Sequence, residues 1–169
     1  NESKGYDLYC KAMFKILDSN KDWKAYSIGE EKRFRNFPTH NRHKSLGQIS
    51  HSKVLNYLSK SEIAIIPSRW EEPFGRTAME ASSRGCATII SKQGGLPETT
   101  DYAIKLKKLD VKNIENETIN LIINKNRLLM HFRGLVDLLI LRLTELDQLK
   151  IYIIIEIRWN LLFLLIGGF

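Results

Sequence analysis

Over the first 125 positions the spacing of apolar residues changes repeatedly, and each change predicts an element. From Tyr6 to Leu17 the apolar positions Leu8, Met13, Ile16 and Leu17 recur at helical spacing, and Asp18-Ser19-Asn20 ends the helix. Trp23 to Ile28 reads as a short strand broken by Gly29, and Leu46-Gly47-Gln48-Ile49 as a brief apolar stretch before a second helix, Ser52 to Ser59. Ser61 to Pro67 holds four consecutive apolar residues stopped by proline, the pattern of a strand buried on both faces. Thr77 to Arg84 reads as a helix with Gly85 at its C-terminal cap. Ala87 to Ile90 is the next strand, followed by the turn Gln93 to Pro97, a short strand Tyr102 to Leu106 and a helix Val111 to Asn124. Strand and helix alternate throughout, which predicts an α/β domain with a Rossmann-like, doubly wound parallel sheet.

Beyond residue 125 the pattern breaks. Residues 126–169 are dominated by Leu and Ile with almost no turn chemistry. Glu156 and Arg158 interrupt the run Ile151 to Ile166, and the stretch from Trp159 is shorter than the roughly 18 residues a membrane span needs. A buried terminal helix is one reading of this tail; the preferred expectation is out-of-frame or non-native sequence. The domain expectation is therefore 1–125 as the folded unit and 126–169 as an apolar tail.

An apolar content of 43% in 169 residues is enough for a packed core and excludes disorder for most of the chain. Two distant cysteines, Cys10 and Cys86, exclude a disulfide scaffold and a four-cysteine zinc site. The net charge of +7 points to anionic partners. Basic residues concentrate at Lys32, Arg33, Arg35, His40, Arg42, His43 and Lys44, with Phe34 and Phe37 interleaved. A nucleic-acid patch has this composition, but a solvated loop around Pro38 or a groove for a smaller anion such as a diphosphate is the favoured reading. His40, His43 and His51 have no carboxylate or cysteine at ligand spacing, so no metal site is expected.

The candidate chemistry lies in Pro67-Ser-Arg-Trp-Glu-Glu-Pro-Phe-Gly-Arg-Thr-Ala-Met-Glu-Ala-Ser-Ser-Arg-Gly85, which leaves a strand, turns through Pro73 and Gly75, and enters a helix. In parallel α/β sheets ligands bind at the carboxyl ends of strands, and a helix start offers free N–H groups to a phosphate. Glu72 and Glu80 can accept hydrogen bonds from hydroxyls at two points of one elongated polyol ligand. The plainer alternative makes Thr77 and Glu80 a capping box and Glu71 and Glu72 surface charges.

The string from Ile65 to Ala81, then Gly85, Ile89-Ile-Ser and Gly94-Gly-Leu-Pro-Glu98, resembles the nucleotide-sugar-binding half of retaining glycosyltransferases of family 4. Those enzymes have the GT-B architecture, two Rossmann-like domains facing across a cleft. The resemblance covers about residues 1–110 and implies the C-terminal half of such a fold. It implies that Glu72 binds a donor-sugar hydroxyl, with the backbone of Phe74 and Gly75 against the same sugar. Glu80 would hold the ribose hydroxyls, and Arg76 and Thr77 would stand near the donor diphosphate. Lys4 would neutralise that diphosphate together with an arginine that would precede Asn1. Gly47, Gln48 and Ile49 fall where the family packs the base, and Gly29 matches its glycine after the second strand. Glu72 and Lys4 are the expected catalytic residues.

By the same resemblance the function is transfer of a hexosyl unit from a nucleoside-diphosphate sugar to a saccharide or lipid acceptor, with retention and no cofactor or bound metal. The acceptor side would lie in an N-terminal domain before residue 1, so the chain alone is expected not to turn over. A cytoplasmic location follows, with peripheral association at the inner membrane face. A non-catalytic nucleotide-sugar-binding module is the main alternative, and a small nucleic-acid-binding domain using residues 32–44 a lesser one.

Overall fold

The computed structural model describes residues 2–29 and 38–124. A 3-10 turn, Glu2–Lys4, leads into helix α1, Tyr6–Ser19. Strands β1 (Ala25–Ser27) and β2 (His43–Ser45) pair in parallel, Ala25 opposite His43. Helix α2 (His51–Leu58), strand β3 (Ile63–Ile66), helix α3 (Arg76–Ser83) and strand β4 (Ala87–Ile90) follow. Then come the short helix α4 (Leu96–Thr99), strand β5 (Ile104–Lys105) and helix α5 (Val111–Ile123). The order β3-β4-β5 is parallel throughout, with Ile63 opposite Ala87 and Ile89 opposite Ile104.

β4 is the centre of the core, and its alternation shows why the domain is wound on both faces. Ala87 and Ile89 pack with Met13, Ile16 and Leu17 of α1 and Ile114 and Leu121 of α5. Ile90, one residue on, points the other way, against Ala78 of α3 and Leu96 of α4. Each fully buried Leu or Ile of this set contributes about 1.5–3 kcal/mol. Residues on β3 divide in the same sense, Ile63 and Ile65 to the first cluster and Ile66 to the second. The expectation that β3 is the strand buried on both faces is corrected: all four of its residues are only half-buried, whereas all four of β4 are buried. Among the described residues β3 ends the three-strand order and so has a paired neighbour on one side alone.

Gly85 caps α3 as the spacing predicts. Its φ is +86°, its N–H donates to Ser82 O, and the next N–H, of Cys86, donates to Ala81 O, the paired bonds of a Schellman turn. α5 starts on Asp110, whose carboxylate accepts from the Asn113 N–H at 2.8 Å. Within the basic stretch, Lys32, Arg33, Phe34, Arg35 and Phe37 lie outside the described residues, as does the tail expectation for 126–169. His40, Arg42 and His43 are committed to the fold. His40 pairs with Asp18 at 3.2 Å and stacks on Phe14, and Arg42 donates to carbonyls at the end of α1. Among the described residues no helix is long and apolar enough to cross a membrane.

His43 carries a pH dependence. Its ring packs on Phe14 and Tyr9, and its buried Nε2 has no hydrogen-bond partner among the described residues. Burial, and then the charge of His40, push its pKa below the ordinary 6.5. The unfolded chain therefore takes up this proton first, so stability falls as pH drops below about 6.5. The Arg69 guanidinium holds the Asp7 carboxyl below its ordinary 3.8, so its share of stability is present above that value and is lost on further acidification. Urea midpoints are expected to be lower at pH 5 than at pH 7, and His43→Phe should narrow that difference. An equal difference in the variant would assign the loss to other groups.

Candidate functional site

The loop from the end of β3 to the start of α3 is pinned at many points. Ser3 O accepts from the N–H groups of Arg69 and Trp70, at 2.8 and 3.0 Å. Arg69 donates a two-toothed pair to Asp7 of α1, at 2.6 and 2.8 Å. Ser91 Oγ, after β4, donates to Ser68 O at 2.6 Å. Gly5 has φ +71° and lies against the Pro67 carbonyl, where an added Cβ would sit 1.9 Å from the oxygen, so both its backbone and its surroundings call for glycine. On the other side, Gly95 N–H donates to Glu72 O, and Thr99 Oγ1 donates to Phe74 O at 2.6 Å. A Cβ on Gly94 would meet Glu72 O at 2.4 Å, so the Gly94-Gly95 pair is what lets the loop after β4 lie along Glu72.

Two carboxylates flank the start of α3. Glu72 is largely sheltered, its side chain 17% exposed, and Oε1 accepts from Ser68 Oγ at 2.9 Å and from Lys4 Nζ at 2.5 Å. Glu80 is sheltered to the same degree, 16%, and Oε1 lies 2.9 Å from His51 Nε2 and 3.8 Å from Arg76 Nε. The partners are the open members of these pairs, Lys4 at 53% and His51 at 67%. Between them α3 begins on Gly75, φ +69°, with no side-chain cap. The capping-box alternative for Thr77 and Glu80 is thereby overturned: Gly75 holds the cap position, and the Glu80 carboxylate turns to α2 instead.

The other expected residues are placed as follows. Gly29 and Gly47, both with positive φ, follow β1 and β2 and are joined by the Gly29 N–H to Gly47 O bond at 2.8 Å. A Cβ on either would meet nothing within 4 Å among the described residues, at the carboxyl ends of those strands. Gln48 is exposed and Ile49 half-buried in the loop that enters α2. Phe74 is exposed while Gly75 is buried beneath Leu96 and Thr99. Arg76 and Thr77 are exposed in the first turn of α3. Glu72 and Lys4 are therefore brought together, and so are Gly29 and Gly47.

Sequence reasoning missed Ser68 and His51. Both contact their carboxylate in space, at separations of 4 and 29 residues, and only Ser68 is close enough along the chain for its spacing to have signalled it. Thiol chemistry has little support here, since burial raises both cysteines and pushes Cys86 up to about 11. Among the described residues no three His, Cys, Asp or Glu gather as a metal ion would need.

The family model described as glycosyl transferases group 1 matches residues 1–132. An uncharacterized 42.6 kDa protein in the cps region of Klebsiella pneumoniae is 28% identical over 115 residues, 67% of this chain and 30% of its own length. The glycogen synthase of Mycobacterium tuberculosis is 38% identical over 53 residues, 31% of this chain and 13% of that one. The crystal structure of Anabaena HepE in complex with UDP and glucose matches with a TM-score of 0.67 at 17% identity, covering 80% of this chain and 39% of that one. Sucrose-phosphate synthase from Thermosynechococcus elongatus matches at 0.57 and 20% identity, covering 85% and 43%. The chain spans less than half the length of each of these proteins. The expected fold class is borne out: a mixed α/β arrangement with parallel strands, shared with these two structures.

Proposed function

Because the chain belongs to the family of glycosyl transferases group 1, we propose that it binds a nucleoside-diphosphate sugar and forms the donor side of a retaining, family 4 type transferase. One observation carries this reading: two sheltered carboxylates, each paired with an exposed basic side chain, flank an uncapped helix start. Glu72 accepts a sugar hydroxyl, with the Phe74 and Gly75 backbone beside the same ring. Glu80 accepts the ribose hydroxyls, and the base lies along Gly29, Gly47, Gln48 and Ile49. Lys4, Arg76, Thr77 and the α3 N–H groups meet the diphosphate, whose negative charge a helix start favours. A UDP and glucose complex of HepE and the glycogen synthase relative support a nucleotide-sugar donor.

In the transfer itself the bond from the anomeric carbon to the diphosphate oxygen breaks, and the acceptor oxygen bonds to that carbon on the same face. The departing diphosphate takes the acceptor proton. The chain's part is positioning and charge stabilisation, from Lys4 and the α3 start. The acceptor is a saccharide or lipid, bound mainly by residues outside this chain. The reading carries a cytoplasmic location at or near the inner membrane face.

The test is thermal stabilisation by UDP, GDP and ADP. A nucleotide at a hundredfold excess over its Kd adds about 2.7 kcal/mol to stability. A shift of the melting temperature is expected with one of the three, and Glu80→Gln should remove most of it while leaving the unliganded melting temperature nearly unchanged. No shift with any of them would overturn the donor reading.

A further inference from the structure

We propose that His51 is a positioning residue for the ribose: it fixes the Glu80 carboxylate in the orientation that accepts the two hydroxyls. The inference rests on the reading of Glu80 given above. A vicinal diol presents two O–H donors in a fixed relation, and a carboxylate meets both only when its plane is set. A glutamate side chain has three torsions and does not hold that plane unaided. Here His51 Nε2 lies 2.9 Å from Glu80 Oε1, and Arg76 Nε lies 3.8 Å from the same oxygen. Neither contact uses Oε2. The carboxylate accepts one hydrogen bond from the imidazole Nε2–H, which leaves three of its four lone-pair sites for the ligand.

Stability does not account for the pair. Helix α3 has its cap position at Gly75, so Glu80 is not needed to start it. His51 is 67% exposed, and an ion pair or hydrogen bond so open to water contributes little to folding. Position does account for it. His51 is the first residue of α2, directly after the loop whose Gly47 carbonyl holds the Gly29 N–H. The one side chain thus ties the loop assigned to the base to the carboxylate assigned to the ribose, across 29 residues of sequence.

The experiment compares the wild type and three variants, His51→Ala, His51→Gln and Glu80→Gln, with two ligand forms on the full chain. UDP, GDP and ADP are titrated calorimetrically, and the tightest is compared with its 2′,3′-dideoxy counterpart, which lacks both hydroxyls. His51→Ala is expected to weaken the ribonucleotide about fivefold to tenfold. It should weaken the dideoxy form less than twofold, because the carboxylate that His51 orients has lost its ligand. His51→Gln should restore most of the affinity, since its amide N–H can reach the same oxygen. Equal losses for both ligand forms would mean a structural role and overturn the proposal, as would wild-type affinity in His51→Ala. Should Glu80→Gln weaken binding while His51→Ala does not, His51 alone is misassigned. Should none of the three nucleotides bind the wild-type chain, the donor reading falls and this inference with it.

Discussion

Gly5→Ala is expected to cost about 3 kcal/mol or more of folding stability and to abolish any nucleotide-induced shift in melting temperature. Two effects add. Alanine at φ +71° takes on about 1–2 kcal/mol of left-handed strain, and overpacking at a fixed site costs about 1–3 kcal/mol more. The overlap here is with backbone: the new Cβ falls 1.9 Å from Pro67 O and 2.9 Å from Pro67 C. Neither side can retreat cheaply, because Gly5 launches α1 and Pro67 ends β3, and both elements are seated in the same core. Lys4 is the adjacent residue, so its contact with Glu72 is lost with the turn. Gly47→Ala is the control, since φ there is +63° but an added Cβ meets nothing within 4 Å among the described residues. It should cost only the strain, about 1–2 kcal/mol. Urea denaturation of the two variants decides the matter; costs that differ by less than 1 kcal/mol would show that the turn relaxes.

Arg42→Ala is expected to cost about 3 kcal/mol through the end of α1. The guanidinium donates to Asn20 O at 2.8 Å, to Trp23 O at 3.5 Å and to Leu17 O. The last carbonyls of a helix have no partner within it, and a cation there is favoured by the helix dipole. Hydrogen bonds to a charged group are worth about 1.5–3 kcal/mol, and removing the donor leaves half-buried carbonyls to be satisfied by water. Lysine offers a single ammonium in place of a planar fork, so Arg42→Lys should recover less than half of the loss. Denaturation followed by tryptophan fluorescence, with Trp23 beside the site, reads the effect. A loss under 1 kcal/mol would mean that the three carbonyls find other donors. The same contacts explain part of the positive charge of the 32–44 stretch: Arg42 is spent on the fold and is not presented to a partner.

Elements whose signal is local were legible. α1, α3 and α5 follow from apolar spacing, and the α3 stop follows from Gly85, whose positive φ glycine alone adopts cheaply. β2 was not legible. His43-Lys44-Ser45 has no apolar run and is a strand only because its backbone pairs with Ala25-Tyr26-Ser27. Nor could sequence rank β3 against β4, since two runs of similar apolar content differ in burial only through their place in the strand order.

The sequence by itself determined the domain's class and singled out the segment from Pro67 to Gly85 as the candidate site. Those depend on residue type and spacing along a continuous stretch of chain. Tertiary structure decided which groups meet there: Lys4 with Glu72 across 68 residues, His51 with Glu80 across 29, and the Gly94 backbone against Glu72. Such pairs depend on which strands lie side by side and how closely their loops approach. A steric fit of that kind, like the missing Cβ of Gly5 and Gly94, is a property of two segments together and is written in neither one alone.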